Sequence, residues 1–387
     1  MKIAAAASTL PDASAAATEA ATRAAEELEG AAADFAFTFF SAEHAEQAEA
    51  IASVIREVLA PAALLGCTTE VVVGGGHEFE GGPAVAVWAA NLPGASVETF
   101  VAGLQQMPDG EAIIGFPILG EPANAIVLVA DPFTFPTQNF LSQLNEDHPK
   151  LPIIGGMCSG GAAPGQHALI EGARVVTSGA VGALIRGSVA VRTVVSQGCK
   201  PIGDPYSITA ASGPVINQLA GRPPMARLQE AVRGLHEQDQ ALVGGGLHVG
   251  VVIDEYKSDL GPGDFLIRNV MGANRDTGAL AVGDYISPGQ TVQFHLRDST
   301  AAGAELSHLL EKEKEALNGR KVAGVLMFTC NGRGTRFFGV ADHDVTSVES
   351  HLGPLPVAGM FCAGEIGPVG GRNFIHGFTA SLALFVE

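Results

Sequence analysis

Runs of apolar residues, each followed by a polar stretch of helical period, return three times along this chain. In the first, residues 34–40 are apolar enough for a buried strand. Residues 44–59 then set Ile51, Val54, Ile55, Val58 and Leu59 on one helical face, and Pro61 ends it. The segment 62–70 returns to strand, opens into Gly74-Gly-Gly76, and a further apolar run covers 84–90. The second occurrence predicts a strand at 126–130, a helix near 138–146, and strands at 151–157 and 179–185. The third predicts 325–329, a helix near 345–351, 355–361 and 377–385.

Two of the copies carry a shared string. Leu151-Pro-Ile-Ile-Gly-Gly-Met-Cys-Ser-Gly-Gly161 and Leu355-Pro-Val-Ala-Gly-Met-Phe-Cys-Ala-Gly-Glu365 match in Leu, Pro, Gly, Cys and Gly at equal offsets. Only Gly66 and Cys67 of the first copy fit this pattern. Such a repeat marks a fold made by duplicating one α/β unit. It also sets glycine-rich loops in equivalent places, as tight corners or as ligand sites.

Between the second and third copies the pattern changes. Residues 214–219, 247–253, 264–270, 278–282 and 291–296 read as strands, with a turn signal at Pro288-Gly289, while 225–235 and 301–317 read as helices. Near the start, residues 12–30 read as an Ala- and Glu-rich surface helix. A boundary is expected near residue 200, where Gly198, Pro201, Gly203 and Pro205 crowd together, giving domains 1–200 and 201–387. The expected class is mixed α/β: repeated strand-helix-strand-Gly loop-strand units in mixed sheets flanked by helices, in two domains.

Composition narrows the function. A net charge of −19 with no Lys/Arg cluster excludes a phosphate-backbone partner, so nucleic acid is not expected. Cys67, Cys158, Cys199, Cys330 and Cys362 form an odd set with no C-x-x-C pair, which fits a reducing compartment. The first ten residues are a short, mostly alanine run broken by Pro11 and Asp12, poor material for an export signal. No later run approaches the ~18 apolar residues of a membrane span. A cytoplasmic protein without membrane contact is expected.

Several longer strings resemble the FIST domain family. In the C-terminal half they are Asp264-Phe-Leu-Ile-Arg-Asn-Val-Met-Gly272, Gly278-Ala-Leu-Ala-Val-Gly-Asp284 leading to Gln293-Phe-His-Leu-Arg-Asp298, and Thr329-Cys-Asn-Gly-Arg-Gly334 with residues 356–370. Leu64-Leu-Gly-Cys67 with Gly74-Gly-Gly76, then Ile154-Gly-Gly156, are similar in the N-terminal half. The resemblance spans nearly the whole chain in the family's N-then-C order. It implies a sensor of small ligands, for which amino-acid-like molecules are suggested at family level. No output domain is fused here, so a signal would pass to a separate protein partner. The family supplies no catalytic set to carry over.

The residues themselves suggest where a ligand would sit. Cys330-Asn331-Gly332-Arg333-Gly334 follows a buried-looking strand at its C-terminal end, where α/β sheets hold ligands. Arg333 and Arg336 offer planar forks for a carboxylate or phosphate. The loop of the same unit brings Cys362, Gly364, Glu365 and Arg372, where Glu365 would take an amine and Arg372 an acid. Together these residues fit a zwitterion. The competing reading makes Gly332-Arg333-Gly334 a tight turn and pairs Glu365 with Arg372. Arg268 is expected to pair with a carboxylate such as Asp298.

Other chemistries have less support. Cys330, Cys158 or Cys362 as an acyl-transfer or hydrolytic nucleophile would need His343 or His376 as base. Asp342-His343-Asp344 is compact, but neighbours on an extended segment point apart, and no metal or cofactor is expected. The acidic, Ala- and Gly-rich chain is also compatible with a homodimer or an assembly role. The favoured expectation is a small-ligand sensor with no assigned catalytic residue.

Overall fold

The computed structural model describes residues 1–387 apart from positions 109, 121 and 262 and the side chains at 238 and 245. The first repeat is built from β1 (Lys2–Ser8), α1 (Ala13–Glu27), β2 (Phe35–Ser41), α2 (Ala48–Leu59), β3 (Ala63–Thr69), the hairpin β4 (Val72–Gly74) and β5 (His77–Phe79), and β6 (Val85–Asn91). The second uses β7 (Ala95–Met107), β8 (Gly110–Ile114), β9 (Ala125–Ala130), α3 (Thr137–Asp147), β10 (Ile153–Met157), the hairpin β11 (Leu169–Glu171) and β12 (Arg174–Val176), and β13 (Ala180–Gly187). After β14 (Ala190–Ser196) come β15 (Cys199–Ser212), β16 (Val215–Leu219), α4 (Pro224–Arg233), α5 (Glu237–Gly246), β17 (Leu247–Val252), β18 (Phe265–Ala273), β19 (Leu280–Val282) and β20 (Thr291–Arg297). The chain ends with α6 (Ser299–Ala316), β21 (Val322–Cys330), α7 (Thr335–Phe338), α8 (His343–Leu352), β22 (Val357–Cys362), the hairpin β23 (Gly364–Val369) and β24 (Arg372–His376), and β25 (Ala380–Val386).

These elements make a mixed α/β protein with two compact units, residues 1–195 with 307–387, and residues 196–306. In the first unit the three repeats form three sheets, ordered β1-β6-β2-β3-β11-β12, β24-β23-β10-β9-β13-β7-β8 and β14-β25-β21-β22-β4-β5. Each sheet has the same plan. A parallel pair (β2 with β3, β9 with β10, β21 with β22) is joined through a helix and flanked by the repeat's own antiparallel return strand.

The last places in each sheet come from another repeat. The hairpin of repeat one docks on β22 of repeat three, that of repeat two on β3 of repeat one, and that of repeat three on β10 of repeat two. The exchange is cyclic, so each sheet is completed by a different repeat.

Alternate strand residues face two apolar layers, because successive side chains point to opposite faces. On one side, residues such as Ala36, Phe40, Leu64 and Val87 meet the helices. There α1 presents Ala13, Ala16, Ala17, Ala20, Ala21 and Ala24, so the expected surface helix is buried along one alanine face, with Asp12 accepting the Ala15 N–H at its start. On the other side, Phe37, Trp88, Val129, Ile154, Phe328 and Phe385 from all three sheets share one core. Trp88 and Phe385 lie 4.8 Å apart by ring centroid, and Phe39 meets Phe328 edge-on at 6.1 Å.

The repeat's glycines serve this packing. A Cβ on Gly155 would stand 1.8 Å from the Leu128 carbonyl oxygen, and one on Gly359 1.8 Å from that of Met327. Both lie inside strands, so the shared Leu-Pro-x-x-Gly string is a device for close strand pairing.

The second unit is a closed barrel, β15-β16-β19-β18-β17-β20, with Ile216, Val249, Leu280, Val292, Phe294 and Leu296 in its core. Its first strand runs straight through the Pro- and Gly-rich segment, with a register shift between Ile202 and Tyr206 where Gly203 and Pro205 fall. Arg268 pairs with Asp284 (2.7 Å), not with Asp298; Asp298 instead accepts the Ala301 N–H at the start of α6. No helix among the described residues is long and apolar enough to cross a membrane.

Candidate functional site

Strands β21 and β22 run parallel and end together, with Cys330 opposite Cys362. The Asn331 N–H donates to the Cys362 carbonyl (3.0 Å), and the Arg333 N–H donates back to that of Cys330 (2.8 Å). The Gly332 N–H points at the Cys330 sulfur, 3.3 Å away. The structure therefore brings the two expected loops together over residues 330–334 and 362–365.

Arg333 turns inward. Its Nε and an Nη donate to both oxygens of Asp344, at 2.6 and 2.8 Å, and its guanidinium lies 4.9 Å from the Phe338 ring centroid. Asp344 also accepts from Thr329 Oγ1 (2.8 Å) and sits 2.9 Å from His343 Nδ1. Burial alone would raise the Asp344 carboxyl. The Arg333 charge and these hydrogen bonds outweigh it and hold the group well below the usual carboxylate range. Arg333 is thus engaged within the protein by a bidentate pair.

Glu365 is also internal, fully buried with Oε2 accepting the Thr379 N–H at 3.0 Å. Its opposite number across the hairpin is His376, whereas exposed Arg372 lies opposite Val369. Arg372 is four residues further along the ribbon, roughly 13 Å at strand rise. The Glu365–Arg372 ion pair weighed from the sequence does not form. Gly364 lies against Met157, whose Cε would come within 2.3 Å of an added Cβ. Of the candidate side chains, Asn331, Arg336 and Arg372 face solvent, the first two beside the strand ends.

A residue that sequence reasoning passed over completes this corner. Glu78, on the hairpin donated by repeat one, is only 7% exposed, and its Oε1 accepts the N–H groups of Asp344 (2.9 Å) and Val345 (3.0 Å) at the start of α8. Its other oxygen is buried with no hydrogen-bond partner. Burial first, and the Asp344 charge second, push this carboxyl up to about 8. Around it, Asp342 accepts the Glu78 N–H (2.7 Å) and lies 3.0 Å from His77 Nδ1, while Glu80 takes the N–H and hydroxyl of Thr335, each at 2.7 Å. Two carboxyl groups driven in opposite directions thus sit side by side where two repeats meet, an arrangement shared by functional sites and structural ion-pair networks. No local pattern marks Glu78, because its environment is made by residues more than 260 positions away.

The equivalent corner of repeat two is built differently. Asp131, fully buried, faces His167 Nδ1 at 2.7 Å, and the Gly161 N–H donates to His167 Nε2 (3.1 Å). Phe133 stacks on the imidazole, 5.8 Å between centroids and 9° between planes. This set organises the 158–161 loop.

The thiols considered as nucleophiles are poorly placed for that chemistry. Cys158 and Cys362 are fully buried, and burial pushes both well above the ordinary thiol range, with Cys67 adding to it for Cys158 and the Glu365 charge for Cys362. Among the described residues no group of three His, Cys, Asp or Glu side chains could hold a metal ion. The Asp342-His343-Asp344 run shows why: Asp342 faces His77 and Asp344 faces Arg333.

Comparison with known proteins matches residues 34–222 to the FIST N domain and residues 224–368 to the FIST C domain. Over 387 residues the chain is 45% identical to the uncharacterized protein Rv0628c of Mycobacterium tuberculosis (strain H37Rv), covering 100% of both. It is 44% identical to the uncharacterized protein Mb0898c of Mycobacterium bovis, covering 100% of this chain and 99% of that one.

Proposed function

Since the chain belongs to the FIST family, with both the N and the C domain present, we propose that it senses a small amino-acid-like or anionic metabolite and signals through a separate protein. A sensory role is consistent with the family. The ligand would bind at the ends of β21 and β22, under the hairpin that repeat one donates. One observation carries this reading: the buried Glu78 carboxyl with an oxygen left unpartnered, beside the ionised Asp344. One Glu78 oxygen caps α8, but the other is buried without a partner, and costly placements of this kind cluster at binding sites.

The division of roles follows from exposure. Asn331 and Arg336, at the solvent side, would take the ligand's carboxylate, and the protonated Glu78 Oε2 would donate to a further acceptor on it. Arg333 would hold the loop through Asp344 rather than touch the ligand. Glu78 also ties the hairpin to α8, so occupation would alter how two repeats are latched, a change a partner protein can read.

The test is a thermal-shift and calorimetric screen against amino acids and short carboxylates. A ligand at 100 times its Kd stabilises the fold by about 2.7 kcal/mol, a shift of a few degrees. Arg336→Ala and Asn331→Ala should remove that response without lowering the unliganded melting temperature. A full response in both variants, or a flat screen on native protein, overturns the assignment.

A further inference from the structure

The second sheet carries a feature that the polar corner does not use. Helix α3 and residues 113–119 enclose a cleft of about 340 Å³, within the size range of small-molecule sites. Its wall is aromatic: Phe116 packs edge-on against Phe140 at 5.2 Å, and against Phe100, also at 5.2 Å. Phe140 and Leu144 belong to the buried core under α3, and Phe116 and Leu119 pack against that core, so the apolar side is anchored.

The rim carries the opposite character. Gln143, Asp147 and His148 line the cleft along the C-terminal part of α3. The last turn of that helix holds Glu146 and Asp147 and no basic residue. Carboxylates at the negative end of a helix dipole are unfavourable, and a cation beside them reverses the sign.

We propose that this cleft binds a small hydrophobic amine, its apolar body against Phe116, Phe140 and Leu144 and its ammonium group at Asp147. The volume accommodates a ligand of about the size of an arylalkylamine. The site shares no residue with the Glu78 corner, so it stands or falls independently of that reading.

The full-length protein is titrated calorimetrically with 2-phenylethylamine, 2-phenylethanol and phenylacetate. The amine should bind saturably with a dissociation constant of about 1 mM or lower, which is modest for a ligand of this size. Phenylacetate should bind at least tenfold more weakly. Asp147→Asn should weaken the amine about tenfold and leave the alcohol unchanged. Gln143→Trp, at an exposed position lining the cleft, should abolish binding of both, and Arg336→Ala should change neither. Absence of saturable amine binding, equal affinity for phenylacetate, or amine binding untouched by Gln143→Trp overturns the proposal.

Discussion

Glu78 and Asp344 touch through a hydrogen bond from the Asp344 amide to Glu78 Oε1, 2.9 Å long, yet their carboxyl groups are driven in opposite directions. Asp344 has a guanidinium on both oxygens, and Glu78 faces the resulting negative charge with none of its own. The pair joins repeat one to repeat three at the strand ends.

Stability should therefore depend on pH through Glu78. Its folded-state value, about 8, lies above the ordinary glutamate value of 4.5, so the folded protein holds a proton that the unfolded chain releases between those limits. Stability falls as pH rises through that window, by at most roughly 1.4 kcal/mol per unit. His295, which burial pushes down to about 4, acts in the opposite sense at lower pH. The difference between wild type and Glu78→Gln isolates Glu78. The variant should match wild type near pH 4.5 and melt several degrees higher at pH 8.5. Parallel melting curves across that range would show Glu78 to be ionised in the fold.

Breaking the Arg333–Asp344 pair should be severe. Arg333 is 2% exposed and Asp344 1%, so Arg333→Ala strands a buried carboxylate and should cost about 3–5 kcal/mol in urea denaturation. Arg333→Met with Asp344→Leu should recover a large part of that loss, because no buried charge remains. A single variant within 1 kcal/mol of wild type would contradict the burial. The sequence marked Arg333 as a chemically important position, and its partner eleven residues on was where the inference stopped.

The glycines test what the repeat is for. Gly359→Ala and Gly155→Ala would each drive a methyl group into a backbone carbonyl, with no flexible side chain to yield. Both should leave the protein insoluble or destabilised beyond the usual point-mutant range of 0.5–3 kcal/mol. Gly103→Ala, in β7 with nothing within 4 Å, should be nearly neutral. These outcomes separate strand packing from ligand cradling, because a cradle glycine would spare the fold and impair binding alone.

The repeat was legible in the sequence because strands buried on both faces are written as continuous apolar runs, as in 34–40, 126–130 and 325–329. The hairpin exchange was not. Leu169–Glu171 and Val72–Gly74 are three-residue strands whose partners lie in other repeats, so their pairing is set by the assembled sheets. Strand β15 was hidden for another reason: Pro201 and Pro205 read as a domain boundary, yet a register shift absorbs the second within the barrel. Residues 330–334 and 362–365 of the candidate loops meet, while Arg372 lies at the far end of the hairpin. Glu78, the residue whose charge state distinguishes that corner, depends on contacts that no local window contains.

Thiol labelling gives the last check on the buried core. Cys67, Cys158 and Cys362 are completely inaccessible, Cys330 is nearly so, and Cys199 in the barrel is partly exposed. Reaction requires both access and thiolate, and burial denies Cys158 and Cys362 each of these. Iodoacetamide at pH 8 should therefore label Cys199 first in native protein and reach the remaining four only on unfolding, as read by peptide mass mapping. Native labelling of Cys362 as fast as Cys199 would require the three sheets to part around their shared core. It would also remove the burial that stands against a thiol mechanism at the strand ends.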